Sequence, residues 1–126
     1  MKRIITKNIN IYAIEHPFRN CIYSEINAVI KLKKERKNIC LKIKKRYKNI
    51  KLPKKLGLSE NCLLIRMHNK MNCIYLMEKW WKEVNFYTYR DQLSFNYIKW
   101  KTKINIKYIS KNFVLQYFKI TNHLKK

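Results

Sequence analysis

The chain contains a single glycine, Gly57, among its 126 residues, together with only two prolines. Glycine adopts the left-handed backbone conformation of tight turns most easily, and proline presets turn geometry. These numbers are low for an autonomous fold with many tight turns. Pro17 ends the first apolar segment of the chain, and residues 51–58, which contain Pro53 and Gly57, are predicted to form a loop.

The spacing of apolar residues alternates between the strand period and the helix period. Strand spacing is found in residues 8–14, 63–66 and 103–109. Helix spacing is found in residues 20–34, in residues 38–50, in about fourteen residues after Asn69, and in the residues that follow Asp91. This order is typical of an α/β domain, and the length suits a single domain with one core. Residues 111–126 are expected to form a poorly defined basic tail.

The helix predicted after Asn69 carries two adjacent tryptophans, Trp80 and Trp81. Asn69 is a suitable N-cap residue for this helix. The predicted inner face consists of Ile74, Met77, Trp81 and Val84. Because neighbouring residues on a helix point in different directions, only one tryptophan is expected in the core. The other is available to line an acceptor groove or to cover a neighbouring loop.

Asp91 is the sole aspartate of the chain, and two interpretations of it remain open. Thr88 precedes it by three positions, which matches the capping-box pattern at the start of a helix. Leu93, Tyr97 and Trp100 follow at helical spacing, so Asp91 lies where a first helical turn is predicted. Asp91 therefore either caps this helix or serves a functional site.

The formal net charge of +23 ordinarily indicates a nucleic-acid or anionic membrane partner. However, the chain contains twenty-four lysines and only six arginines, whereas nucleic-acid sites use arginine heavily. We interpret most of the charge as solvated helix faces. Residues 31–55 hold thirteen Lys or Arg residues against one acidic residue, Glu35. The alternative function is thus a small basic protein that binds nucleic acid or another polyanion through residues 31–55, although the stripe within them is that of an ordinary amphipathic helix.

Nothing in the sequence predicts secretion or membrane insertion. The first eight residues lack the apolar region of a signal peptide, and the longest apolar run, residues 62–65, is far below the roughly 20 residues of a membrane-spanning helix. The four cysteines form no Cys-x-x-Cys pair. We expect buried free thiols in a reducing compartment, and hence a cytoplasmic protein, with no metal site.

A series of motifs also occurs along the chain in a defined order. The motifs are His16-Pro17-x-Arg19-x-Cys21-x-Tyr23-x-Glu25, Tyr47, Gly57-Leu58, Glu60, Arg66-x-His68, Trp80-Trp81, and Arg90-Asp91-Gln92-Leu93-Ser94-Phe95-Asn96-Tyr97 with Trp100-Lys101. This series resembles the C-terminal half of a glycosyltransferase-like domain, formerly a domain of unknown function, found in plant mucilage-related Golgi proteins and bacterial sugar-transfer enzymes. The resemblance runs from about residue 9 to about residue 110, and its most specific block is residues 90–97.

The resemblance implies an α/β nucleotide-sugar transferase fold of type A, an open sandwich that uses a divalent metal and a nucleotide sugar. Such folds hold the metal on an acidic pair, often Asp-x-Asp, and no such pair occurs in this sequence. The expected protein is therefore a partial type A sandwich that lacks the N-terminal nucleotide-binding half. It is the acceptor or sugar side of a transferase, inactive alone and without a cofactor of its own. A sugar acceptor or nucleotide sugar is the expected partner of the complete domain.

The resemblance also implies roles for individual residues. Asp91 is expected at the carboxyl edge of the sheet, where it orients sugar hydroxyls or acts as the catalytic base, with Gln92 and Asn96 binding substrate beside it. Arg90 is expected to contact phosphate or to pair with Asp91.

Four further residues are assigned to substrate binding. His16 and Arg19 follow a predicted strand, at the position where open α/β sheets bind ligands. Each also has a structural interpretation, as a donor to a neighbouring carbonyl. Glu60 and Arg66 flank the short strand 63–65, and they are expected either to pair with each other or to bind substrate.

Overall fold

Residues 9–119, which the computed structural model describes, form a mixed α/β arrangement with a three-stranded sheet and five α-helices. The elements in chain order are β1 (Ile11–Glu15), α1 (Ile22–Lys31), α2 (Lys37–Asn49), β2 (Ser59–Arg66), α3 (Met71–Phe86), α4 (Phe95–Thr102), β3 (Lys107–Ile109) and α5 (Lys111–Leu115). A 3₁₀ turn, Asp91–Leu93, precedes α4. The predicted α/β class is confirmed, and the type A transferase sandwich stays a prediction.

The sheet has the order β2-β1-β3, with β1 antiparallel to β2 and parallel to β3. Ala13 pairs with Leu64 on one side, but the next residue, Ile14, pairs with Glu60. Residues 61–63 of β2 therefore bulge out of the ladder, which bends the strand locally.

The central strand β1 is buried on both of its faces. Ile11 and Ala13 point into the main core, which is formed with the first four helices. Tyr12 and Ile14 point into a smaller cluster, which Val114 of α5 helps to close. A strand covered on both faces reads as a continuous apolar run, which explains the sequence of β1. The predicted tail from residue 111 thus begins with a packed helix, and its end, residues 120–126, lies outside the described residues.

Lysines occupy helix-end positions where glycine is usual. At the end of α2, Lys51 has a left-handed φ of 59°, and its N–H donates to the carbonyl of Lys48 at 3.1 Å. The N–H of Leu52 donates to the carbonyl of Tyr47 at 2.9 Å, which completes a Schellman motif. Lys33 has the same role after α1, with a φ of 54°. Because left-handed φ costs a residue with a Cβ about 1 kcal/mol, the chain ends these helices without glycine at some loss of stability.

The single glycine occupies a position that a side chain does not tolerate easily. Gly57 has a φ of 89°, and a Cβ added there would lie 3.1 Å from the hydroxyl oxygen of Tyr108. The predicted loop 51–58 is confirmed, and Gly57 allows it to pass over the Tyr108 ring.

The helix α3 differs from its prediction in its start and in its inner face. Its N-cap is Lys70 rather than Asn69, and no side chain caps it. The choice of Trp81 for the inner face was wrong, since this residue is 65% exposed. Trp80 instead packs against the core, with its ring 4.8 Å from that of Phe95 in an edge-on arrangement. The buried face of α3 differs from the predicted one, because its buried residues include the charged Glu83.

Arg46 explains the burial of Glu83 by joining three helices. Its Nη1 and Nη2 atoms donate to the two carboxylate oxygens of Glu83, each at 2.7 Å. The guanidinium also lies 3.9 Å from the ring centroid of Tyr87 and 4.9 Å from that of Tyr97. This two-pronged geometry with flanking aromatic faces is the arrangement that arginine provides and lysine does not.

Candidate functional site

An open groove of about 300 Å³ lies along one side of α3. Its lining residues are Arg66, Met77, Trp80, Trp81, Val84 and Asp91, and we call it the tryptophan groove. Arg66 is the last residue of β2 and Asp91 is the first residue of the 3₁₀ turn, while the other four residues belong to α3. The groove thus brings together two of the predicted site residues, Arg66 and Asp91, with the Trp-Trp pair.

The two tryptophans have different roles in the wall of the groove. The indole Nε1–H of Trp80 donates to the backbone carbonyl of Asp91 at 3.2 Å and to Oγ of Ser94 at 3.1 Å. With its ring packed against Phe95, Trp80 is held in one orientation. Trp81 leaves about two thirds of its surface exposed, so an indole face is available to a ligand.

Asp91 is fixed through its backbone, whereas its side chain is exposed. Its carbonyl accepts hydrogen bonds from Trp80 and from the backbone N–H of Ser94, the latter at 3.2 Å. The N-cap of α4 is Ser94, and neither α4 nor the 3₁₀ turn has a side-chain cap. The capping-box interpretation of Asp91 was therefore wrong, because the motif requires Thr88 as the N-cap, whereas the N-cap of α4 lies six residues later.

Thr88, the proposed partner in that capping box, makes other contacts. Its Oγ1 accepts from the backbone N–H of Arg90 at 3.0 Å and donates to Oε2 of Glu35 at 2.7 Å. The pKa of the Glu35 carboxyl is lowered, first by a hydrogen bond from the backbone N–H of Arg36 and then by the Thr88 hydroxyl. The Thr88 hydroxyl therefore connects the segment before Asp91 to Glu35, which lies just before α2. Arg90 lies next to this hydrogen-bonded contact.

Glu60 and Arg66 do not pair with each other, so the prediction of such a pair was wrong. They stand near opposite ends of β2, since Glu60 is opposite Ile14 of β1 and Arg66 is opposite Ile11. Both carboxylate oxygens of Glu60 accept from Nζ of Lys111 at 3.1 Å. Arg66 is left exposed beside the tryptophan groove.

Gln92 and Asn96 connect the Asp91 segment to the sheet. Nε2 of Gln92 donates to the carbonyl of Ser59 at 3.3 Å. Oδ1 of the buried Asn96 accepts from the N–H of Ser59 at 3.0 Å, and its Nδ2 donates to the hydroxyl of Tyr108. The amide of Asn96 thus links α4 to β2 and β3. Its predicted role in substrate binding stays a prediction, as does that of Gln92.

His16 and Arg19 form a cluster with Glu25 directly after β1. Nδ1 of His16 accepts from the backbone N–H of Phe18 at 3.2 Å and of Arg19 at 3.1 Å. The neutral ring therefore carries its hydrogen on Nε2, which lies 3.6 Å from Oε2 of Glu25. Nε of Arg19 donates to the same carboxylate oxygen at 2.7 Å. The pKa of His16 is lowered, chiefly by burial of the ring, while the Glu25 carboxylate acts in the opposite direction.

His16 also lines a second cleft, of about 280 Å³, at the carboxyl ends of the parallel strands β1 and β3. The cleft is lined by Glu15, His16, Pro17, Ser110, Lys111 and Asn112. Of the predicted site residues, His16 lines this cleft, Arg66 and Asp91 line the tryptophan groove, and Asn96 lines a different cleft. Glu25 was not among them, and the structure places it in the first turn of α1.

The residues of the tryptophan groove do not fit a divalent metal ion. The groove offers one carboxylate, Asp91, and places the guanidinium of Arg66 in the same wall, whereas Mg²⁺ and similar ions need several oxygen ligands. Throughout residues 9–119, no three His, Cys, Asp or Glu side chains are grouped so that they could hold a metal.

Among the same residues, no helix has the length and apolar character needed to cross a bilayer. The thiols of Cys21, Cys40 and Cys73 are free and buried, as predicted, whereas that of Cys62 is free and exposed.

Comparison with known proteins identifies a family. The family model described as "TOD1/MUCI70, glycosyltransferase-like domain" matches residues 1–124 of the chain. No curated protein and no solved structure matches it. The predicted resemblance to a glycosyltransferase-like domain is confirmed, while the restriction to a C-terminal half stays a prediction.

Proposed function

We propose that this chain, which belongs to the TOD1/MUCI70 glycosyltransferase-like domain family, binds the sugar part of a glycosyl donor or acceptor in the tryptophan groove. The observation that carries this proposal is the meeting of Asp91, Arg66 and the exposed Trp81 in one open groove. Ligand sites commonly combine an apolar lining with a few polar groups that set orientation, and the groove has this composition.

The chemistry of a sugar ring matches these three side chains. One face of a hexose presents C–H groups, which pack well on the flat apolar surface of an indole such as that of Trp81. The hydroxyl groups at the ring edge donate to a carboxylate and accept from a guanidinium, and the groove supplies both in Asp91 and Arg66. The hydrogen bond from Trp80 to the Asp91 carbonyl holds the backbone of Asp91 against α3, the helix that carries Trp81.

Asp91 is the proposed reactive group of the groove. Its exposed side-chain carboxylate oxygens can accept a hydrogen bond from a sugar hydroxyl. If that hydroxyl belongs to the acceptor, the same contact places Asp91 to take its proton as a general base. The acceptor oxygen then bonds to the anomeric carbon of the donor sugar while the bond from that carbon to the nucleotide diphosphate breaks, and the diphosphate leaves.

The same proposal assigns the nucleotide and the metal to residues other than those of the groove. The chain has one Asp and no Asp-x-Asp pair, and a lone carboxylate beside an arginine does not satisfy a divalent ion. We therefore propose that the chain provides the sugar side of a type A transferase and does not catalyse transfer alone. The buried free thiols support a reducing, cytoplasmic location as part of this proposal.

The binding proposal is tested by recording the indole N–H signals of ¹⁵N-labelled protein. The chain has three tryptophans. Trp100 does not line the tryptophan groove but a different cleft. Titration with methyl glycosides and nucleotide sugars should move the signals of Trp80 and Trp81 at millimolar concentration and leave that of Trp100 unchanged. Equal shifts of all three signals, or no shift with any sugar, would contradict the proposal.

Variants separate the groove from the rest of the surface. Trp81→Ala and Asp91→Asn should weaken sugar binding, since they remove the stacking face and the charged acceptor. Phe18→Ala is the matched control, because Phe18 is 84% exposed and lies outside the groove. Incubation of the wild-type chain with nucleotide sugars and Mn²⁺ or Mg²⁺ should give no transfer. Turnover that depends on Asp91 would show that the chain is a complete enzyme.

A further inference from the structure

A second groove, of about 400 Å³, lies where the start of α2 meets the end of α3. Arg36 and Ile39 line it from α2, and Phe86, Tyr87 and Tyr89 line it from the end of α3 and the segment after it. We call it the tyrosine groove. It is the larger of the two grooves, and the sugar-binding proposal does not use it.

Two aromatic rings of the tyrosine groove are free to stack on a ligand. Phe86 is 81% exposed and Tyr89 is 83% exposed, which is unusual for large apolar rings in a folded chain. The ring of Tyr87 is different, because the guanidinium of Arg46 lies 3.9 Å from its centroid. The available platforms are therefore Phe86 and Tyr89.

The surface next to these rings is strongly basic. Arg36 is exposed at the groove, and the helix α2 that begins beside it carries four exposed lysines: Lys37, Lys42, Lys45 and Lys48. The single acidic residue of the segment 31–55 is Glu35, and its carboxylate already accepts from the Arg36 N–H at 2.9 Å and from Thr88 at 2.7 Å. The Glu35 carboxylate also lines the groove, but its charge is partly satisfied by these two hydrogen bonds within the protein.

We propose that the tyrosine groove binds single-stranded nucleic acid, with bases stacked on Phe86 and Tyr89 and the phosphates along Arg36 and the lysines of α2. Unpaired bases expose the π-faces that aromatic side chains recognise, and a basic track beside them holds the backbone. A duplex hides those faces inside its own stack. Binding to an anionic membrane requires an exposed apolar stripe along the basic helix. In α2 (Lys37–Asn49), Leu41 is the one large apolar side chain that is exposed. This proposal is independent of sugar binding.

Fluorescence anisotropy with labelled 15-nucleotide oligo(dT), oligo(rU) and a DNA duplex of equal length tests the proposal. Both single strands should bind more tightly than the duplex near physiological salt. Phe86→Ala and Tyr89→Ala should each weaken single-strand binding about 5- to 150-fold, the range expected for loss of one stacked base. Because these changes remove no charge, the slope of log K against log salt should stay unchanged. Comparison of oligo(dT) with oligo(rU) shows whether DNA or RNA is preferred.

Charge variants and controls complete the test. Arg36 is the exposed cation that lines the groove, so Arg36→Gln should reduce the salt slope by about 0.7, the contribution of one phosphate contact on a single strand. Phe18→Ala and Lys70→Gln are controls with equally exposed side chains outside the groove. The proposal would be overturned if duplex and single strands bound equally, or if Phe18→Ala and Phe86→Ala lost the same amount of single-strand affinity. Either result would show that binding depends only on non-specific charge. Binding of phosphatidylserine vesicles that depends on Phe86, without single-strand binding, would assign the groove to a membrane instead.

Discussion

Replacement of Arg46 by methionine should destabilise the fold strongly, because the guanidinium pairs with the buried carboxylate of Glu83. Arg46→Met keeps the apolar stem of the side chain and the helix propensity of α2 but removes the guanidinium. The carboxylate of Glu83, whose side chain is 9% exposed, would then lose both of its 2.7 Å hydrogen bonds and remain charged within the core.

The size of this effect follows from the burial of the pair. Removal of one partner from a buried ion pair costs about 3–5 kcal/mol, mostly as the penalty of the unpaired charge that remains. The Arg46 side chain is 24% exposed, so water can enter and partly solvate Glu83, which favours the lower end of this range. We expect the free energy of unfolding to fall by about 3 kcal/mol, which for a chain of this length lowers Tm by about 10 °C.

Urea denaturation followed by circular dichroism and by tryptophan fluorescence measures this loss. The double variant Arg46→Met/Glu83→Met should recover most of the stability, because it removes both charges and keeps the volume. Lys45→Met, a neighbouring exposed lysine, is the control and should change stability by less than about 0.5 kcal/mol. A loss below about 1 kcal/mol for Arg46→Met, or a double variant less stable than either single one, would refute the reasoning.

Three further changes test other features of the fold. Lys51→Gly should raise the free energy of unfolding by about 1 kcal/mol in the same urea assay, since glycine adopts the left-handed φ of 59° without strain. Asn96→Ala should lower it by about 1–3 kcal/mol, because the buried N–H of Ser59 and the hydroxyl of Tyr108 lose their partner. The pKa of His16 is lowered by burial, so the unfolded chain binds the proton more readily and stability falls as the pH drops below the ordinary histidine value of about 6.5. In denaturation curves between about pH 7.5 and pH 5, His16→Asn, whose Oδ1 can still accept the backbone N–H bonds, should flatten this decline.

The elements whose boundaries depend on local spacing were predictable from the sequence. The stripe of Ile43 and Tyr47 predicts α2 correctly, because an amphipathic helix shows its buried face through its period. The apolar run of β1 predicts a buried strand for a similar reason. The loop around Gly57 follows from its composition.

Features that depend on distant partners were not predictable in this way. The inner face of α3 was misplaced because Glu83, a charged residue, is buried only by virtue of Arg46, which lies on another helix. The capping motif before Asp91 was misleading because a 3₁₀ turn takes the place of the first helical turn. The indole N–H of Trp80 stabilises this turn by donating to the carbonyl of Asp91. Glu60 and Arg66 were expected either to pair with each other or to bind substrate. The register of β2 against β1 places them near opposite ends of β2, and Lys111 is the partner of Glu60. The tryptophan groove itself arises from this register, since it leaves Arg66 beside α3.

The bulge in β2 limits self-association of the sheet. In the described part of the chain, β2 and β3 form the two edges, and edge strands with long, flat, unpaired backbones are templates for the strands of other molecules. The bulge at residues 61–63 divides β2 into two short paired segments, and β3 is only three residues long. Neither edge therefore offers a continuous template for a second molecule. Protection from fibril-like aggregation is built into the backbone and should persist at high salt, where the charge of +23 no longer keeps molecules apart.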